Sequence, residues 1–513
     1  MGLKARTSSP SRVRPVARPP APSPPPVALG DVLAVPLGDD RWTACQVVAV
    51  DDGGPVALSL QWLGDVRPTL DDVRDAPPLR VDHHAWDGDL AWRHVTPAPP
   101  STFVPLGALP VPPGLGACNA HGSWDGVGGE IGGQARWLAL PAAARAAYKA
   151  AHRRRDDVTL DLGALTVTAR ADRARLHVDA AALPPGTALR WAGLDDLGCL
   201  TELDYDGDDP GVIGHLRARP MIAELSWSAH GQATIDLREL TITTFATTLA
   251  APLTLHLPPS VTTLRVRGDA RHLTCHQAGD GRRLELWVGP DDDGRLALPA
   301  GGLARLDALH VWGARRVDAA AIATWTALTR LHVHGDAVTL DGVERLAALT
   351  ALRRLELIHC YGLDAAAFPA AATAWPALTS ASIDGHRKAD AAALRARLAG
   401  VASVELRGGK TDAWLSANLD NPFRDWVDRA AAVGRAAAAA WRTACAALDG
   451  ARSRRTTEAA LRALVDAFNR LGDRHGLDTV DREEVGEAFL TLSRRAGIDD
   501  ATSGAWFDAW REF

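Results

Sequence analysis

Leu352-Arg353-Arg354-Leu355-Glu356-Leu357-Ile358-His359-Cys360 is the stretch on which the fold turns. Apolar residues stand at its first, fourth and sixth positions, and the residue between the last two faces the other way. That pattern describes a short strand with one buried and one open side. The Leu-x-x-Leu-x-Leu string recurs as Leu200 to Tyr205, Ile222 to Trp227, Leu237 to Ile242, Val261 to Val266, Leu306 to Val311, Leu328 to Val333 and Val401 to Leu406. Degenerate copies lie at Leu284 to Leu286 and Leu378 to Ile383. With 264, 284, 309, 331, 355, 381 and 404 as central positions, the spacings are 20, 25, 22, 24, 26 and 23. One unit of this length cannot bury its own apolar side, whereas a stack of units can.

Period and string together make residues 158–409 resemble the leucine-rich-repeat family, most fully at Leu352 to Cys360. The resemblance implies a solenoid over 158–415 with a parallel sheet on its concave side. Val317 to Leu328, Val343 to Leu349, Leu363 to Trp375 and Ala389 to Leu398 are Ala/Leu-rich and read as helix-like return segments. Around Leu165, Leu176 and Leu189 the spacing is too short for strand–helix units, which predicts a β-rich entry.

Strand alternation sends one set of residues outward on the concave side. These are Arg265 and Arg267, Glu285 and Trp287, His310 and Trp312, His332 and His334, Glu356 and Ile358, Ser382 and Asp384, and Glu405 and Arg407. On this numbering Trp287, Trp312 and His334 form one row with His310 and His332 beside it. Aromatics flanked by Arg265, Arg267, Glu285 and Glu356 have the chemistry of a binding hot spot. A metal site from Glu285, His310, His332 and Glu356 is the weaker alternative, because a flat row converges poorly on tetrahedral geometry. No metal or cofactor is expected.

Outward from the repeats, the 513 residues call for several domains, and 47% hydrophobic residues allow most of the chain to bury a core. A net charge of −6 argues against a dedicated nucleic-acid binder. No apolar run is long enough to span a membrane. The six cysteines, Cys45, Cys118, Cys199, Cys275, Cys360 and Cys445, are scattered and form neither a disulfide framework nor a zinc knuckle. Residues 1–28 are a Pro/Arg-rich arm with no apolar signal core, so a disordered or polyproline-like arm, a cytoplasmic location and a monomer are expected.

Residues 29–110 read as a small antiparallel β-barrel or curled sheet, with turns at Gly38-Asp39-Asp40 and Asp51-Asp52-Gly53-Gly54. The string from Gly30 to Trp42 resembles the opening of the immunity protein 26 family of bacterial toxin systems. That resemblance implies protein binding and toxin neutralisation. Residues 111–157 form a Gly-rich connector, flexible over most of its length, with a short helix over 141–155. Its glycines build no dinucleotide or phosphate loop. His83 and His84, beside Asp82, Asp87 and Asp89, are the only residues that raise a hydrolase alternative, and no catalytic motif accompanies them.

The last region, 416–513, reads as helical, with Leu461, Leu464, Val465, Phe468 and Leu471 at helical spacing. Asp481 with Glu484 reads as a helix cap. Asp473 to Glu484 has the length of a calcium loop but carries His475, Leu477 and Asp478 where oxygen ligands and a glycine are needed. The segments Asn421 to Trp426 and Trp506 to Phe513 resemble the tails of bacterial leucine-rich-repeat proteins labelled as gliding-motility proteins, which implies a motility or envelope scaffold. The expected whole is a multidomain α/β, non-enzymatic protein that binds a protein partner.

Overall fold

Each ladder strand is set by two inward residues, and the pairing of those residues organises the larger part of the chain. The computed structural model describes residues 26–37, 41–100, 102–290, 294–299 and 301–513. Residues 1–25 of the expected arm and the turn at 38–40 lie outside the described residues. The chain divides into two compact units, residues 1–205 with 209–224, and residues 206–208 with 225–513.

The first unit opens with a five-stranded antiparallel sheet in the order Trp92–His94, Gly54–Gly64, Trp42–Asp51, Asp31–Pro36, Val104–Ala108. Asp51 Oδ1 accepts the Gly53 N–H at 2.8 Å, and Gly54 takes φ +102°, so the hairpin turn needs a glycine there. Among the described residues no pairing joins the outer strands 92–94 and 104–108, so the closure that a barrel requires is not seen. The Gly-rich connector is more ordered than expected, because Gly129–Ala139 is a helix that buries Ile131, Gln134 and Trp137. Gly128, at φ +84°, starts it. A second helix, Ala142–His152, packs Tyr148 and Ala151 against Trp137, Cys199 and Met221. The hairpin Asp157–Asp161 with Thr166–Arg170 follows. Further on, the buried Asp209 carboxylate accepts from Leu189 N, Trp191 Nε1 and Gly211 N, each at 2.8 Å, and knots this unit's last turns together.

In the second unit the strands Thr244–Leu249, Thr263–Gly268, Glu285–Val288, Ala308–Asp318, Arg330–Asp341, Arg354–Ile358, Ser380–Asp384 and Ser403–Arg407 pair in sequence, every adjacent pair parallel. Phe245, Leu264, Leu286, Leu309, Leu331, Leu355, Ala381 and Val404 occupy one register row. Two expectations shift here. The repeat at 284–286 centres on Leu286, not Leu284, because Leu264 pairs with Leu286 and Leu286 with Leu309. The segment Leu237 to Ile242 is a turn, and the strand is the following Thr244–Leu249. Ile242-Thr-Thr-Phe245 is the true counterpart of Val261-Thr-Thr-Leu264. Its third inward slot is Thr247, whose Oγ1 donates to the Trp227 carbonyl at 2.9 Å instead of adding apolar area.

On the return side, Thr234–Asp236, Leu253–Leu257 and Leu273–Gln277 form a second, three-stranded parallel sheet. Early returns are therefore strands. Later ones are short helices at Ala319–Ile322, Ala371–Ala374 and Ala391–Arg397, with a 3-10 turn at Val343–Ala348. The carboxy-terminal helices Ala431–Asp449, Arg454–His475, Thr479–Arg495 and Asp500–Trp510 pack Phe423, Trp426, Trp441, Phe468, Phe489 and Phe507 into one core. Asp478, not Asp481, caps the helix Thr479–Arg495. Its side chain accepts from Asp481 N, and the Asp481 side chain answers the Asp478 N–H. Among the described residues no helix is long and apolar enough to cross a membrane.

Candidate functional site

The open face of the ladder carries the side chains between the inward residues, and their rows follow from the register. Arg265 pairs with Trp287, Trp287 with His310, His310 with His332, and His332 with Glu356. The next row places Trp312 beside His334 and His334 beside Ile358. Trp287 therefore belongs to the row of His310 and His332, two residues away from the row expected for it. Glu285 correspondingly pairs with Ala308 and lies outside the His310–His332–Glu356 row. The shift of centre from Leu284 to Leu286 accounts for both corrections.

The rings nonetheless meet. Trp287 stacks on His310 at 4.2 Å between centroids and on Trp312 at 5.7 Å, with planes 7° and 12° apart. Trp312 reaches His334 at 4.5 Å and His332 at 5.7 Å. His334 continues to His359 at 5.5 Å, His359 to Tyr361 at 6.0 Å, and Tyr361 to Trp414 at 5.9 Å. Cations close both ends of this ribbon. The Arg265 guanidinium lies 6.0 Å from the Trp287 ring, and Lys410 Nζ lies 4.6 Å from the Trp414 ring. Arg267 is exposed next to this end of the face. Trp312 is 40% exposed, although large apolar side chains are usually buried.

The acids on the face are held by its histidines. His310 Nε2 lies 2.6 Å from Glu285 Oε1, and this contact holds the Glu285 carboxyl below its ordinary value despite partial burial. His332 Nδ1 is 3.6 Å from Glu356, and His359 Nδ1 is 3.8 Å from Asp425. Burial pushes His332 and His334 below the ordinary histidine value, while Glu356 and Asp425 oppose the shift. Both rings therefore favour the neutral form, which presents an uncharged π face. Among the described residues no group of three or more His, Cys, Asp or Glu side chains is placed to hold a metal ion.

His359, Tyr361 and Trp414 were not legible as part of this face. His359 follows the strand Arg354–Ile358 at φ +55°, a left-handed conformation that turns it back toward His334. The repeat string marks that position only as a variable residue before Cys360.

In the first unit, two of the acids near His83 and His84 have other partners. Gln134 Nε2 donates to Asp82, and Lys149 Nζ lies 3.3 Å from Asp87. His83 and His84 contact each other through Nδ1 at 3.0 Å, and His84 packs on Trp137 and Tyr148. Burial lowers both histidines. His84 thus belongs to a small aromatic cluster with Trp137 and Tyr148, while Asp82 and Glu130 lie near enough to His83 to oppose its lowering.

In the parallel ladder the central positions stand 19 to 26 residues apart between Phe245 and Val404, so this part of the second unit is built on a strand repeat of that period. No family model matches the chain. No curated protein matches it. Among solved structures it is similar to an internalin from Listeria monocytogenes str. 4b F2365, with 14% identity and a TM-score of 0.25, over 45% of this chain and 74% of that one.

Proposed function

We propose that this is a non-enzymatic interaction protein that binds a protein partner on the open face of its ladder. The ribbon from Trp287 through Trp312, His310, His332 and His334 forms the centre, with Arg265, Arg267, Glu285 and Glu356 at its margins. One observation carries this reading. Trp312 is 40% exposed in the middle of a continuous run of stacked rings, where truncation of a contact costs a complex most. The resemblance of Gly30 to Trp42 to immunity proteins favours toxin neutralisation as the setting, in the cytoplasm; a motility or envelope scaffold is the competing setting.

Affinity capture from the native host, with the wild type and a Trp287→Ala/Trp312→Ala variant in parallel, tests both levels. A partner held by the wild type and lost from a variant with unchanged circular dichroism supports the face. Full retention by the double variant overturns it. A captured toxin favours neutralisation, and a captured motor or envelope component favours the scaffold.

A further inference from the structure

Among the described residues nothing caps the last strand of the ladder. In the central register row Leu264, Leu286, Leu309, Leu331, Leu355 and Ala381 are at most 1% exposed, whereas Val404 on the last strand is 40% exposed. Its companion Leu406 is partly open where Ile383, Leu357 and Val333 are fully buried. Repeat arrays need a polar terminal unit to shield this last apolar row, and Ser403–Arg407 does not supply one. The backbone of that strand is half used. Ser403 N donates to Thr379 O at 3.0 Å, and Arg407 O accepts from Gly385 N at 3.1 Å, so residues 403, 405 and 407 turn their peptide groups toward the sheet. By strand alternation Val404 and Leu406 turn theirs to the open edge.

We infer that this edge is a self-association surface, on which Ser403–Arg407 of a second copy of the chain adds antiparallel about a two-fold axis through Glu405. The register follows from the strand itself. Val404 stands opposite Leu406 of the copy, and both carry outward N–H and C=O groups, so each such pair exchanges two backbone hydrogen bonds. The same pairing sets Val404 against Leu406 on the inward side and so extends the buried row across the axis. On the other side, Glu405 and Arg407 already lie 3.2 Å apart within one chain. Antiparallel pairing sets the two Glu405 side chains opposite each other at the axis and puts the Arg407 of each copy diagonal to the Glu405 of the other, so that two bases flank and offset the paired acids. An exposed edge with an apolar row is otherwise an aggregation hazard, and closure by two-fold symmetry removes it. This dimer departs from the monomer expected from sequence and does not depend on the partner-binding face.

Sedimentation velocity of the full chain, from about 1 to 100 µM, is the test, because a five-residue edge gives an association in the weak range. The wild type should shift from monomer to dimer across that range. Leu406→Pro removes an outward N–H and part of the apolar row, leaves the hydrogen bonds to the sheet in place, and should weaken the dimer by about tenfold or more. Glu405→Arg sets four arginines together and should weaken it by a similar factor. Glu405→Arg combined with Arg407→Glu places two acids diagonal to the paired arginines and should recover it. A thermal melt matching the wild type establishes that each variant folds. A monomer at every concentration overturns the inference. A dimer indifferent to Leu406→Pro and to Glu405→Arg also overturns it, as does one abolished by Trp312→Ala.

Discussion

Trp287 and His310 lie face to face on neighbouring strands, 4.2 Å between ring centroids and 7° from parallel. The contact is a direct product of register, since position 287 pairs with 310 once Leu286 is the inward residue of its strand. It joins two different supports. Arg265 lies over the Trp287 ring from one neighbouring strand, while Glu285 holds His310 Nε2 at 2.6 Å. The stack fixes one end of the aromatic ribbon, and Trp312 extends it into the open.

The two tryptophans should separate binding from stability. Trp312→Ala removes a 40% exposed side chain and should change the unfolding free energy by less than about 1 kcal/mol. The same change should weaken partner binding about thirtyfold, the loss of about 2 kcal/mol expected of a central aromatic. Urea melts and titration with the captured partner measure the two effects. Proportional losses of stability and affinity would count against a hot spot.

The inward row should show a sharp contrast along its length. Leu331→Ala hollows a fully packed position and should cost about 2–5 kcal/mol. Val404→Ala, on the open last strand, should cost under about 1 kcal/mol in dilute solution. Denaturant midpoints at low protein concentration decide this. Equal losses would mean that the terminal row is covered within one chain.

Much of the ladder was readable from sequence because its inward residues are Leu, Val and Ile at fixed offsets, and a one-residue slip would turn every one of them outward. The two misplaced strands show where that signal fails. Leu284-Glu-Leu286-Trp-Val288 has three apolar residues in alternation, so two registers bury equal apolar area, and only pairing with Leu264 and Leu309 decides between them. At Thr244–Leu249 a hydrogen-bonded threonine occupies an inward slot, and the better apolar match five residues upstream is a turn. The return strands Leu253–Leu257 and Leu273–Gln277 alternate just as the ladder strands do, and nothing local shows which sheet they join. His359 joined the face through a backbone reversal, and side-chain periodicity carries no trace of such a turn.

That reversal is testable at Gly385. Its φ of +81° already disfavours any other residue, and a Cβ there would stand 2.9 Å from the His359 Cα. Gly385→Ala should therefore destabilise the protein by about 1–3 kcal/mol and displace the His359 ring from His334. In NMR spectra the imidazole signals of His334 and His359 should shift together while those of His256 and His276, on the return-side sheet, stay in place. A variant with unaltered histidine signals would detach the face from this turn.

Acid should weaken the face through two groups of opposite kind. His332 and His334 are depressed by burial from the ordinary value of 6.5. As pH falls through 6.5 the unfolded chain takes up protons before the folded one does, so these histidines cost stability below that point, increasingly until their folded values are passed. The groups that face them set the size of the effect. Glu356 and Glu285 raise His332 while His310 lowers it; Asp425 raises His334 while His359 and His332 lower it. Glu285 acts in the carboxylate range. With its folded value lowered by His310, its contribution is present above its unfolded value of 4.5 and is lost as pH falls through the folded one. Thermal melts from pH 7.5 to 3 should thus show two declines, one below 6.5 and one below 4.5. His332→Gln with His334→Gln should make the upper decline shallower and leave the lower, and Glu285→Gln should make the lower one shallower, the other buried histidines and paired carboxylates supplying the rest. A double histidine variant that keeps the whole upper decline would place its cause outside this face.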